Sequence, residues 1–439
     1  MESWFYLLLA PMRYRVNCPY NLAMTPYMLT GRLHGSNSVF LLLFLIAALV
    51  TALSGQNNQE AKAAPLHVNS QNDELTRSGL EHQYQLDYDN AIHDFELTQQ
   101  SHPDDPFAAN HLLTAIFFRE LYRNGALDTG LYSNNSFLNR KRIYPDSKNA
   151  ARIQELEQIA LKLADAEIKA NPKDADAYYA HGVTRGMQST YTALVEKSWF
   201  AALGGAKDAR HDHEKVLEIN PNYNNAKLVV GMHSYIVGSL PWAVRLLAHI
   251  VGESGNKTTG IRQLYEAANG GGEAGVDAKT VLALFLRREQ RYDEALAVQR
   301  SLAKAYPGNF LFALEEANIL RDAGRGPECI ATYRSVRENA KKNQYHDPHL
   351  EFLYYGMGEA LRGQRQIDAA AEAYEQVLAL AHADADLRLR AALSAGEMYD
   401  LLQKRDLARQ KYQDVIAQNA NSEVAEAARR YLKDAYRME

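Results

Sequence analysis

With 439 residues, 46% of them apolar, the chain has the composition of a folded protein rather than a disordered one and is long enough for several packed units. A formal net charge of −5 gives no whole-protein basic footprint, which argues against nucleic acid as a partner. The two cysteines, Cys18 and Cys329, lack zinc-ligand spacing, and removal of an N-terminal leader would leave Cys329 without an intrachain disulfide partner.

Residues 1–54 read as a signal peptide or an N-terminal membrane anchor. With Met28 as the start, Arg32 supplies the positive n-region, residues 39–53 the apolar core, and Ala52, Ser54 and Gly55 the small residues of a cleavage site. An apolar run of about 15 residues suits a cleaved signal better than a span, which needs about 20. The expected location is exported, periplasmic or extracellular; anchorage in the inner membrane, facing out, is the alternative. Residues 55–72 are polar and unpatterned, a flexible linker.

Residues 73–272 carry irregular helical hairpins. In the first, Leu75, Gly79, Tyr88, Ala91, Phe95 and Pro103 fall at hairpin intervals, with Gly79 at a close helix approach and Phe95 filling the space between. The second opens with FAANHLLTAIFFRELYR (107–123), resumes at 150–170, and is interrupted by a Gly/Asn/Asp-rich insertion at 124–148. Loops of this length in compact arrays are usually functional or mobile. The third, containing Tyr178, Tyr179, Gly182, Ala209 and Pro221, is overlong in its first helix. The fourth is broken by Gly238 and Pro241, and its apolar stretch 236–251 reads as buried helix-pair packing, with a membrane surface as the alternative.

Residues 273–422 are the regular part. The segment 281–307, VLALFLRREQRYDEALAVQRSLAKAYP, holds two amphipathic helices: Leu282, Ala283 and Leu286 stripe the first, Tyr292 marks the turn, and Ala295, Leu296 and Leu302 stripe the second before Pro307. The small position Ala295 recurs as Cys329, Ala370 and Ala408 at spacings of roughly 34–41 residues, each with Gln299, Tyr333, Tyr374 or Tyr412 four residues on. Residues 423–439 end the array as a charged capping helix. This pattern resembles the tetratricopeptide repeat (TPR) superfamily over about 350 residues. The resemblance implies an all-α, right-handed α-solenoid of about eight stacked helix-turn-helix units. The middle stretch 235–268, with SLPWAVRLL, a Gly-bounded turn and GIRQLYEAA, also resembles the Iml2-like tetratricopeptide-repeat outer-membrane family.

No catalytic motif is visible, and neither a cofactor nor a metal is expected. GESGNKTTG (252–260) lacks the glycine before the lysine and the preceding strand of a phosphate loop, so it reads as an inter-helix turn. His211 and His213 are two apart and so on different helix faces; His346 and His349 lie in a linker without a third ligand. Cys329 fills a small packing position and reads as inert. The informative pattern is on the A helices, which line the concave surface. Eight residues before each small B-helix residue stand Arg287, Arg321, Arg362 and then Asp400. Three arginines in register suit the carboxylates of an extended acidic segment. With Arg288, Asn318, Tyr355, Glu359 and Glu397 they form the candidate partner-binding groove; pairing of the arginines with Glu359 and Glu397 in a charge lattice is the alternative. The sequence thus points to a non-catalytic protein- or peptide-binding scaffold of the bacterial envelope. The other readings are a membrane-anchored structural component, attached through the apolar leader, and an enzyme with its site in the repeat insertions.

Overall fold

The computed structural model describes residues 70–438 apart from 133–141, 243–244, 247–248, 250–252 and 382. The leader and most of the linker therefore lie outside the described residues, as does the middle of the 124–148 insertion. Among the described residues the chain is all-helical. Seventeen α-helices run in order: α1 (Glu74–Tyr84), α2 (Tyr88–Ser101), α3 (Pro106–Arg123), α4 (Ser147–Ala170), α5 (Ala175–Tyr191), α6 (Trp199–Ile219), α7 (Lys227–Gly238), α8 (Lys257–Asn269) and α9 (Gly275–Arg288). They continue as α10 (Tyr292–Ala305), α11 (Phe310–Asp322), α12 (Gly326–Lys341), α13 (Leu350–Gly363), α14 (Ile367–Ala379), α15 (Ala385–Leu401), α16 (Arg405–Gln418) and α17 (Glu423–Lys433). Each odd-numbered helix to α15 pairs with the one after it, making eight hairpins stacked in chain order, and α17 closes the stack. The result is an α-solenoid of helix-turn-helix units.

The hairpins interlock through size. Ala91, Ala295, Cys329, Ala370 and Ala408 are all fully buried where the B helix meets its neighbours. Opposite them, a small A-helix residue receives the bulky B-helix side chain. A Cβ added at Gly79, Gly358 or Gly396 would lie 2.6 Å from the ring of Phe95, Tyr374 or Tyr412. Such a separation is far inside van der Waals contact, so the interlock requires the missing side chain. The A-to-B turns are equally regular. Leu86, Gln290, Gly324, Arg365 and Gln403 all adopt positive φ, and the amide after each reaches back to its A helix, as from Arg291 to the Leu286 carbonyl at 2.9 Å. Between units, Asn171 and Asn220 close their helices by accepting from Lys173 N and Asn222 N, both at 3.1 Å.

A solenoid whose units touch only their neighbours would keep its first and fifth units apart. This one does not. The Asn309 side-chain amide donates to the Tyr84 carbonyl at 2.7 Å, and Gly308 N donates to Gln85 at 2.8 Å. The Tyr122 hydroxyl donates to the Asp347 carbonyl at 2.9 Å, and His111 Nε2 lies 3.1 Å from Glu273 Oε2. Leu86, Tyr88 and Tyr122 belong to the same apolar core as Leu314, Tyr333 and Tyr374. The first two hairpins thus pack back against the N-terminal ends of α9, α11 and α13 and the linkers before them.

The stretch 236–251 departs from the buried packing its composition implies. Tyr235 and Val237 are buried, but Ile236, Trp242 and Leu246 are 42%, 66% and 56% exposed. At Gly238, where α7 ends, a Cβ would sit 2.6 Å from Lys257 N, so α7 and α8 meet closely there, and Pro241 beyond it is exposed.

Candidate binding face

The column of A-helix residues comes to lie on one face, but most of its charges are answered from within the chain. Arg287 is 4% exposed; its Nη1 donates to Glu315 at 2.8 Å and its Nη2 lies 2.6 Å from Asp322. Asn318 is buried too, donating to Glu315 at 3.2 Å and accepting from the Tyr333 hydroxyl at 2.7 Å. The 3-10 turn Thr129–Tyr132, from the start of the 124–148 insertion, packs on α11 beside them. Any side chain at Gly130 would come within 3.4 Å of Asn318 Nδ2. Arg288 is exposed and acts on Glu289.

At the other end, Arg362 pairs with Glu397 at 2.7 Å and donates to the Tyr436 hydroxyl at 2.6 Å, with its guanidinium 5.3 Å from that ring. Glu397 is 2% exposed, and burial pushes its carboxyl up to about 7 against the pull of Arg362. Tyr436 N donates to Asp400 at 2.8 Å, and Asp400 also holds Arg405 through two hydrogen bonds of 2.8 and 2.9 Å. Residues after α17 therefore lie across the A helices of the last units.

Of the three arginines in register, Arg287 is sealed by Glu315 and Asp322, while Arg362 is paired with Glu397, as in the charge-lattice alternative, and with Tyr436. Between these covered ends lies a window. Arg321 keeps about a third of its side chain exposed, with Tyr333 and Asp322 at 3.4 and 3.6 Å. Tyr355 and Glu359 are half-buried, Glu359 accepting from the Tyr374 hydroxyl. The exposed Arg390, absent from the sequence reading, sits 5.7 Å over the Tyr355 ring. It escaped because it lies elsewhere in the repeat register than the arginine column.

The remaining candidates are structural. Cys329 is fully buried with Sγ 3.3 Å from the Ala317 carbonyl. His213 occupies a bulky interface position against Gly182, where a Cβ would meet its ring at 2.6 Å. Asn256 caps α8 by accepting from Thr259 N at 3.0 Å, and Lys257 pairs with Glu289 at 2.7 Å, so 253–260 enters α8 as an inter-helix turn.

A glycine under an aromatic ring, a fully buried small residue in each regular B helix and a left-handed turn between paired helices recur from unit to unit. This is an α-solenoid of tetratricopeptide-repeat-like hairpins. No protein-family profile matches the chain, and no curated protein does. Similar solved structures include a tetratricopeptide repeat protein from Parabacteroides merdae, 14% identical over 73% of this chain and 98% of that one, with a TM-score of 0.32. Yeast Tom70 is 12% identical over 81% and 87%, at 0.39. A human IFIT1 dimer with m7Gppp-AAAA is 11% identical over 83% and 88%, at 0.41. The solenoid architecture is read from the chain's own hairpins rather than from these likenesses. The likeness of 235–268 to the Iml2-like family finds no counterpart among them.

Proposed function

We propose that the protein is a non-catalytic scaffold of the bacterial envelope that holds an extended, acidic protein segment in the window between Arg321 and Arg390. The observation that carries the reading is a partly exposed Arg321 guanidinium that acts on Glu359 and an exposed Arg390 over the Tyr355 ring, on a face otherwise closed by Thr129–Tyr132 and Tyr436. Guanidiniums on rigid helices are pre-organised for carboxylates, so little ordering cost falls on the scaffold. Export rests on residues 1–54 alone. Among the described residues no helix is long and apolar enough to cross a membrane, so anchorage, the alternative, would fall to residues 39–53. The N-terminal residue of the mature protein separates these two.

Fluorescence anisotropy with an acidic decapeptide, a basic decapeptide and a capped single-stranded RNA tests the window. The acidic peptide is expected to bind the full chain, and Arg321→Glu with Arg390→Glu to weaken it at least tenfold, about 1.4 kcal/mol. Binding unaffected by the reversal would sink the proposal, as would preference for the RNA.

A further inference from the structure

Units two and three are overlong, and their extra length makes a cleft. Beyond its last α-helical turn α5 continues as a π-helical turn, Thr192–Glu196, followed by Lys197 at φ +57°. Such π turns are rare and are frequently found at functional sites. Between α4, α5, this turn and α6 lies a cleft of about 600 Å³, lined by Glu157, Gln158, Arg185, Gln188, Glu196 and Asp208 among others.

Glu157 is the anomaly. It sits within the apolar stripe of α4, beside Ile153, Leu156 and Ala160, and is only 4% exposed. Its Oε1 has no hydrogen-bond partner among the described residues. A buried carboxyl left this way is costly, so a native structure that keeps one calls for an explanation. Burial, aided by the nearby Glu196, pushes it up to about 7. Arg185, the guanidinium lining the cleft, donates instead to Gln188 at 3.2 Å. The charged groups that line the cleft with Glu157 are Glu196 from the π turn, Arg185 from α5 and Asp208 from α6; Arg142, before α4, acts on the adjoining Tyr191. Among the lining residues carboxylates outnumber cations. Among the described residues no cluster of His, Cys, Asp and Glu could hold a metal, and the cleft is far larger than an ion.

We propose that this cleft binds an organic cation through a primary ammonium group that donates to Glu157, with Glu196 and Asp208 completing the negative surround. The ammonium supplies both the missing hydrogen and the missing charge. It can belong to a free polyamine or to a lysine side chain of a protein, and the probes distinguish the two.

Isothermal titration of the full chain with spermidine and with a capped Gly-Lys-Gly peptide, at pH 6 and pH 8, tests the site. Spermidine binding alone identifies a free polyamine; equal or tighter binding of the peptide identifies a lysine. In either case affinity is expected to be about tenfold higher at pH 8, because a proton must leave Glu157 first. Glu157→Gln should lower affinity at least tenfold and abolish the pH dependence. Glu196→Gln, on the exposed turn, should lower it a few fold and keep the pH slope, which separates loss of the ligand group from misfolding. No binding of either probe at millimolar concentration, or binding unchanged in Glu157→Gln, overturns the proposal.

Discussion

The Tyr84 hydroxyl at the end of α1 donates to the Asp277 carboxylate of α9 at 3.2 Å, across 193 residues of chain. The contact ties the first hairpin to the fifth, and it makes the closure sensitive to pH. Burial pushes the Asp277 carboxyl up to about 6, while the Tyr84 hydrogen bond pulls the other way. An unfolded aspartate titrates near 3.9, so the folded state holds this proton more tightly. The protonated form's stabilising contribution is full below about pH 4 and is lost as pH rises through 6. Asp277→Asn should therefore stabilise the protein by up to about 3 kcal/mol at pH 7.5 and by almost nothing at pH 4. Urea unfolding at the two pH values checks the difference.

Arg287 is expected to be costly to remove. Arg287→Ala leaves the Glu315 carboxylate buried without its guanidinium, a loss of about 3–5 kcal/mol. The double variant Arg287→Met with Glu315→Leu should recover most of it, since neither charge is then stranded. Denaturation midpoints of the single and double variants give the coupling directly.

The turn and interlock positions predict effects of opposite sign. Gly358→Ala drives a Cβ into the Tyr374 ring and should cost about 1–3 kcal/mol by overpacking. Arg365→Gly relieves a left-handed conformation at φ +55° and should stabilise by roughly 1 kcal/mol. Thermal melting of both variants tests the pair, and a same-sign result would contradict the packing described above.

Cys329 should be silent in the native protein. Burial pushes its thiol up to about 11, leaving little thiolate at neutral pH, and no surface is open to a reagent. In a Cys18→Ser background, a thiol-specific dye at pH 8 should label the chain only at the rate of unfolding. Prompt stoichiometric labelling would mean that α11 and α12 part readily.

The hairpins were legible in the sequence because their determinants are local. Ala295, Cys329, Ala370 and Ala408 stand four residues before Gln299 or a tyrosine, and both members of each pair pack within one or two units. The return of the first hairpins onto α9, α11 and α13 was not legible. It depends on how small rotations accumulate along the stack, and Tyr84 and Tyr122 carry no periodic mark of their distant partners. The arginine column was found by register, which gives a position but not a neighbour. Tyr436, the partner of Arg362, lies 74 residues away in sequence. Glu157 was missed although a signal existed: it occupies the helical spacing of Ile153, Leu156, Ala160 and Ala164, an acid where the stripe calls for an apolar side chain.

The return of α1 onto α9 also governs how the molecule is made. The hydrogen-bond partners of Tyr84 lie 189 to 225 residues downstream, so the first hairpin leaves the ribosome long before the surface it completes exists. Through much of translation its tyrosine-rich side stands open, and the segment synthesised early is among the last to be finished.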